Sequence, residues 1–244
     1  RKKPIETMDA NVIGLRNLLD FFMKNKCESF LFFSTSEIYG DPDPTNIPTK
    51  ETYRGFVSCT GPRACYDESK RYGETLAVNF SNQYNFPIKI ARPFNNYGPG
   101  LKITDKRVIP DFFKNILDKK NIEILSDGKA TRTFCYISDA ITGYLKILLS
   151  DFNGEPFNIG SDSPEISMYD LAKKIINLLN LSNKVVFGKS SDSEYLTDNP
   201  KRRCPDLSKS RKSLNYEPKV SLDEGLLRVY EYYKLEYNKW KLEL

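Results

Sequence analysis

The sequence predicts an α/β fold, and three observations carry that expectation. Ser29–Ser34 is a short continuous apolar run, the pattern of a strand buried on both faces of a parallel sheet. Residues 62–84 read as one long helix, with Pro62 where a helix would begin. Pro87–Arg92 is the next strand, so the chain alternates strand, helix, strand, as layered α/β domains do.

The other elements can be taken in chain order. Residues 5–24 place Met8, Val12, Leu15, Leu19 and Phe22 on one helical stripe, which marks a core or subunit-contact helix. Residues 41–61, rich in Pro, Asp, Thr and Gly, form a long loop of the kind that carries function or moves. Asn95–Gly100 is turn-rich. Beyond it come a helix near 108–118, a strand at 121–125, a turn at Asp127-Gly128, and the stretch Thr131–Tyr136. Ser138-Asp139 is expected to cap a helix running to 149. A strand at 156–159, a helix at 168–179, a strand at 184–187 and two C-terminal helices complete the chain, with no internal repeat.

Composition narrows the chemistry. A chain of 244 residues can bury a real core as one large domain or two small ones. It contains no histidine, which removes Ser-His and Cys-His mechanisms and most zinc sites. The cysteines at 27, 59, 65, 135 and 204 show no paired spacing, so free thiols in a reducing compartment are expected. No apolar run approaches a membrane span and no signal-peptide pattern opens the chain, so the expected location is cytoplasmic, with no membrane partner. The net charge of +5 is modest. The one basic cluster, Lys201-Arg202-Arg203 with Lys209, Arg211 and Lys212, lacks interleaved aromatics, which favours a small anion or a solvated face over nucleic acid.

Chemistry must then rest on Tyr, Lys, carboxylates, hydroxyls or a cofactor. Tyr66 and Lys70 lie four residues apart on the predicted 62–84 helix and so share a face. A nearby ammonium stabilises a phenolate, which makes Tyr66 a candidate acid/base with a lowered pKa. Three other Tyr-x-x-x-Lys pairs occur (Tyr169/Lys173, Tyr230/Lys234 and Tyr237/Lys241), so context decides. Tyr66 alone follows a strand ending in hydroxyls and a carboxylate, Ser34-Thr35-Ser36-Glu37, where parallel sheets place ligands.

Ser34-Thr-Ser-Glu-Ile-Tyr-Gly40, Gly61-Pro-Arg-Ala-Cys-Tyr-Asp-Glu-Ser-Lys70 and Ala91-Arg-Pro-Phe-Asn-Asn-Tyr-Gly-Pro99 together resemble the extended short-chain dehydrogenase/reductases that act on nucleotide sugars. Within that group the chain is most similar to the UDP-glucuronate decarboxylases. The resemblance implies a partial Rossmann-like doubly wound parallel sheet with a smaller C-terminal substrate domain, bound NAD, and oxidation at C4 of the sugar. Residues 1–94 with 133–165 would form the NAD-binding part, and 95–132 with 166–244 the substrate part.

Carried over by position, the resemblance makes Tyr66 the base at the C4 hydroxyl and Lys70 its partner at the nicotinamide ribose. Thr35 would hydrogen-bond the same sugar oxygen, and Glu37 would be catalytic. Ser34 and Arg107 would face the cofactor; Ser36, Asn95, Arg132 and Arg203 would hold the substrate, the two arginines at its phosphates, as suits a planar guanidinium. Arg92 would only support its strand. The Thr-Ser-Glu pattern points to decarboxylation, because 4,6-dehydratases carry an Asp-Glu pair there and 4-epimerases lack the Glu. Both remain alternatives, as does a non-catalytic remnant that binds nucleotide sugars.

No glycine-rich dinucleotide turn occurs in the sequence. Relative to the family the front of the NAD-binding part is therefore expected to be missing. A homodimer through the helices at 5–24 and 62–84 is also implied.

Overall fold

The computed structural model describes residues 3–190 and 197–242. At its centre is a parallel three-stranded sheet in the order β1 (Phe30–Phe33), β2 (Ile88–Pro93), β7 (Pro156–Ile159), with Phe32 opposite Ile90 and Ile90 opposite Pro156. Alternate side chains leave opposite faces of a strand. Phe32, Ile88 and Ile90 accordingly meet α1 (Pro4–Lys24) and α2 (Ala64–Tyr84) through Leu15, Leu19, Ala77 and Phe80. Ala91, Phe157 and Ile159 meet Ala140 and Ile147 of α4 (Ile137–Leu148) and Leu214 of α6 (Ser208–Leu214). The sheet is thus covered on both faces, as parallel strands require.

A separate apolar cluster is built from α3 (Val108–Leu117), β4 (Ile122–Ile124), α5 (Met168–Leu178) and α7 (Leu222–Leu242). Its fully buried members include Phe113, Ile122, Leu171, Ile175 and Val229. β4 pairs in parallel with β9 (Val185–Phe187). Between the clusters run two-residue ladders: β3 (Asn96–Tyr97) with β6 (Cys135–Tyr136), and β5 (Thr131–Arg132) between β8 (Ile166–Ser167) and β10 (Arg202–Arg203). Pairs this short leave no periodic trace in sequence, which is why pattern reading does not find them.

Two expectations are corrected. β1 is covered on both faces but not fully buried: among the described strands it lies at the edge of the three-stranded sheet, and Phe33 remains 46% exposed. Nor does Ser138-Asp139 cap α4. The residue at the cap position is Tyr136, without a side-chain cap, and the buried Asp139 carboxylate instead accepts the backbone N–H groups of Lys219 and Val220 at 2.9 and 2.8 Å. It therefore ties the approach to α7 onto α4.

Gly73 sets how closely α2 approaches β1. A Cβ at that position would stand 2.4 Å from the Phe32 ring, so only glycine lets the helix lie this near the strand. The described cysteines are free, and among the described residues no helix is long and apolar enough to cross a membrane.

Candidate active site

The site is assembled where β1 ends. Ser34 donates its N–H to Ala91 at 2.8 Å, continuing the ladder for one residue. Thr35 stays extended and caps the 3-10 turn Ser36–Tyr39, its Oγ1 accepting the Glu37 N–H at 3.2 Å. That cap turns the chain sharply, so Thr35 and Glu37 both fall beside α2. The Thr35 hydroxyl also lies close enough to the Tyr66 phenol to favour its ionised form. Lys70 donates to the Phe33 carbonyl at 2.9 Å, with its ammonium 5.3 Å from the Phe32 ring centre and 5.9 Å from that of Tyr66. The structure therefore brings Thr35, Tyr66 and Lys70 together at the carboxyl end of a parallel strand, where such sheets bind ligands.

The electrostatics differ from expectation. Tyr66 is not made acidic: burial pushes its pKa up, and the Glu37 and Asp67 carboxylates add to that, against the Thr35 hydroxyl and the Arg63 charge. Lys70 has spent one donor on a carbonyl, and burial lowers its own pKa. A phenol in such surroundings keeps its proton in the free protein.

Glu37 is the most tightly held group of the site. Arg203 grips it with two hydrogen bonds, Nη1 to Oε1 and Nη2 to Oε2, both at 2.7 Å. Arg63 contacts Oε2 from the other side. Burial raises the Glu37 pKa, but the Arg203 and Arg63 charges outweigh it, and the net shift is downward, so Glu37 is a fixed carboxylate. Asp67, one residue past Tyr66, is buried with its Oδ2 3.6 Å from Arg63 Nε. Burial raises its pKa to about 6, against the Arg63 charge.

Several predicted ligand residues are engaged elsewhere. Arg203 does not face outward toward a phosphate, since Glu37 occupies its fork. Arg132 is likewise turned inward: Nη1 donates to the Thr131 and Lys201 carbonyls at 2.7 and 3.2 Å, and Nη2 to the Asn199 side chain at 3.2 Å and the Pro200 carbonyl at 2.5 Å. Burial, with the neighbouring Arg203 charge, lowers its pKa to about 9. Asn95 lies just past β2 with φ 38° and donates to the Thr133 carbonyl at 2.9 Å. Arg107 is not brought to the site: it stands exposed before α3, paired with Asp105 at 3.2 Å and within electrostatic reach of Tyr233 on α7.

Ser36 is buried beside Glu37, and Ser34 is buried with its Oγ lacking any partner. Arg92 supports its strand as expected, clamped by Glu74 at 2.8 and 2.6 Å. Most of the basic cluster is paired as well: Arg202 with Glu165, Lys209 with Glu155, and Arg211 with Asp162 and Glu217. Sequence reasoning missed Arg63 and Asp67. The signal was present in their i, i+4 spacing, which brackets Tyr66 and puts a guanidinium and a carboxylate on one helical face.

The family model described as "NAD dependent epimerase/dehydratase family" matches residues 1–160. UDP-glucuronic acid decarboxylase 1 of Arabidopsis thaliana is 40% identical over 226 residues, covering 93% of this chain and 50% of the relative. The chain thus spans about half the length of that protein. The solved UDP-glucuronic acid 4-epimerase of Bacillus cereus, in complex with UDP-glucuronic acid and NAD, is 30% identical with a TM-score of 0.77, over 93% of this chain and 68% of that one. UDP-glucose 4-epimerase of Thermotoga maritima, at 24% identity over 97% of this chain and 73% of its own, shares the fold with a TM-score of 0.86. With the family match extending over more than half of its residues, the chain belongs to the NAD dependent epimerase/dehydratase family.

Proposed function

We propose that this protein oxidises a nucleotide sugar at C4 with NAD and that the reaction it completes is decarboxylation of UDP-glucuronate to UDP-xylose. The observation that carries the choice is Glu37: two guanidinium groups hold it ionised, and its neighbour is Ser36. Elimination of a hydroxyl needs a proton donor at this place, and neither a fixed carboxylate nor a serine serves well. Similarity to proteins named UDP-glucuronic acid decarboxylase supports the same reading.

The residues at the end of β1 fit a nicotinamide nucleotide. Ser34 Oγ is a buried hydroxyl without a partner, and Lys70 carries two further N–H donors beyond the one given to Phe33. Those two residues would hold the cofactor's polar groups. NAD, when bound, supplies a hydride acceptor and a cationic ring, the added positive charge that Tyr66 needs before it can lose its proton. Tyr66 then takes the C4 hydroxyl proton while Thr35 hydrogen-bonds the same oxygen. A ketone at C4 stands β to the sugar carboxylate, so carbon dioxide leaves while the electron pair of the broken C5–C6 bond is taken up by the C4 carbonyl; a proton added at C5 and the hydride returned to C4 would then give UDP-xylose and restore NAD. The Glu37 cluster offers more guanidinium than carboxylate (Arg63, Arg203 and Arg132 against Glu37 and Asp67), which favours an anionic substrate there.

Domain roles and assembly are inferred with the family. Residues 95–132 and 166–244 form the substrate part, supported by the separate apolar cluster of α3, α5 and α7. The protein is a cytoplasmic homodimer. Free thiols favour the location, and exposed Leu18 and Phe21 on α1 with Tyr72 on α2 favour pairing, which sedimentation at micromolar concentration tests.

The function is tested by incubating the whole polypeptide with UDP-glucuronate and NAD. Release of carbon dioxide is expected. A C4 epimer or a dehydrated sugar without gas evolution overturns decarboxylation, and tight UDP-glucuronate binding without any product overturns catalysis.

A further inference from the structure

Tyr66, Thr35 and Lys70 carry the proposed chemistry beside the clamped Glu37, yet one buried ionisable group next to them has no part in it. Asp67 comes directly after Tyr66, on the first turn of α2, and its side chain is 7% exposed. Its Oδ1 has no hydrogen-bond partner, and Oδ2 stands 3.6 Å from Arg63 Nε, which has no acceptor either. Burying a carboxylate in this way is costly. A fold has no packing reason to bear that cost at a position one residue from the phenol.

Arg63 links the two sides of the cluster. Its backbone is fixed, because its carbonyl accepts the N–H groups of Tyr66 and Asp67 at 2.9 and 3.0 Å. Its side chain reaches Glu37 Oε2 through Nη2 alone. A guanidinium held at one nitrogen can still swing about that contact, whereas a second negative charge behind Nε fixes its plane.

We infer that Asp67 is a positioning residue, which orients Arg63 against Glu37 and so holds the Glu37 carboxylate in one place on the face that Arg203 leaves open. The inference rests on the catalytic reading of Glu37. The charged and titratable groups that face Asp67 are Arg63 and Tyr66 of its own helical segment, Glu37 from the turn after β1, and Arg203 from β10. Because the Asp67 carboxyl loses its proton at about 6, Arg63 is steered above that pH and released below it.

The experiment compares wild type with Asp67→Asn, which keeps the shape and removes the charge, and Asp67→Glu, which keeps the charge. With UDP-glucuronate and NAD, Asp67→Asn should lower kcat about tenfold with KM within twofold, and the acid limb of the wild-type kcat profile near pH 6 should disappear. Asp67→Glu should recover the acid limb and most of kcat. An unchanged kcat with the limb intact in Asp67→Asn overturns the assignment, as does a loss of activity that only tracks the folded fraction measured by circular dichroism.

A second measurement needs no turnover. The Arg63 Nε resonance in uniformly 15N-labelled protein without substrate should shift with a midpoint near pH 6 in wild type, and that step should be absent in Asp67→Asn. If the step is seen while wild type fails to decarboxylate, the positioning stands and the proposed reaction falls. If wild type is active and the step is missing, the positioning falls alone.

Discussion

Two arginine–carboxylate clusters stand at the ends of adjacent strands, and they are finished to different degrees. At the end of β2, Arg92 gives Nε and Nη2 to Glu74, and Nη1 to the Tyr39 hydroxyl and the Glu51 carbonyl, both at 2.8 Å. Tyr39 in turn donates to the Asn158 side-chain oxygen at 2.7 Å. Every nitrogen of that guanidinium has an acceptor, and charge balances one to one. Beyond β1, three guanidinium groups surround two carboxylates, and Arg63 Nε, Asp67 Oδ1 and Ser34 Oγ are left without partners. Complete satisfaction marks a scaffold, whereas buried polar atoms left over mark a place prepared for something else.

Five substitutions, one of them added to another, test how differently the two clusters are built. Tyr66→Phe should have the largest effect, a loss of turnover of about 10²- to 10⁴-fold with UDP-glucuronate binding by calorimetry nearly unchanged. A rate near wild type would remove Tyr66 from the chemistry. Arg92→Met should act on stability instead: it strands Glu74 in a buried position and should cost about 3–5 kcal/mol in urea unfolding. Exchanging Glu74 for Leu in the same chain should recover much of that loss, because both partners are then apolar.

Glu37→Gln tests the unfinished cluster. The folded-state pKa of Glu37 is depressed, so its ionisation stabilises the fold above the unfolded value of 4.5, and that contribution is lost as pH falls through the lower folded value. The variant should therefore be less stable than wild type at pH 7 by about 1.5–3 kcal/mol, and the gap should close in acid.

Asp67→Asn should go the other way. Its folded pKa of about 6 lies above the unfolded 3.8, so wild type loses stability as pH rises between those values. Above pH 6 the variant should be the more stable protein, by about 1–3 kcal/mol in thermal or urea unfolding. Gaining stability while losing rate is the signature that separates a functional carboxylate from a structural one.

Local pattern carried most of the fold. The strand at 156–159 and the long helices at 4–24 and 64–84 were legible from apolar runs and 3.6-residue spacing, because they are long enough to repeat. The gathering of Thr35, Tyr66 and Lys70 was legible too, since it needs only one strand end and one helix face. What the sequence could not show was depth and pairing at a distance. Arg203 looked like a free cation because its partner, Glu37, is remote in sequence. Arg132 looked like a phosphate ligand because nothing local reveals that carbonyls 68 and 69 residues away converge on it. The direction of the Tyr66 shift depended on burial and on two carboxylates, and helical spacing reports neither.

The Glu37–Arg203 pair joins positions 166 residues apart in the chain. A ribosome making this polypeptide releases the acidic half of that pair long before its cation exists, and at 5–20 residues per second the wait lasts roughly ten seconds or more. During that interval Arg63, only 26 residues behind Glu37, is the one cation of that clamp already made. The Glu37 clamp is therefore completed late in synthesis, when Arg203 has emerged to close on a glutamate made long before it.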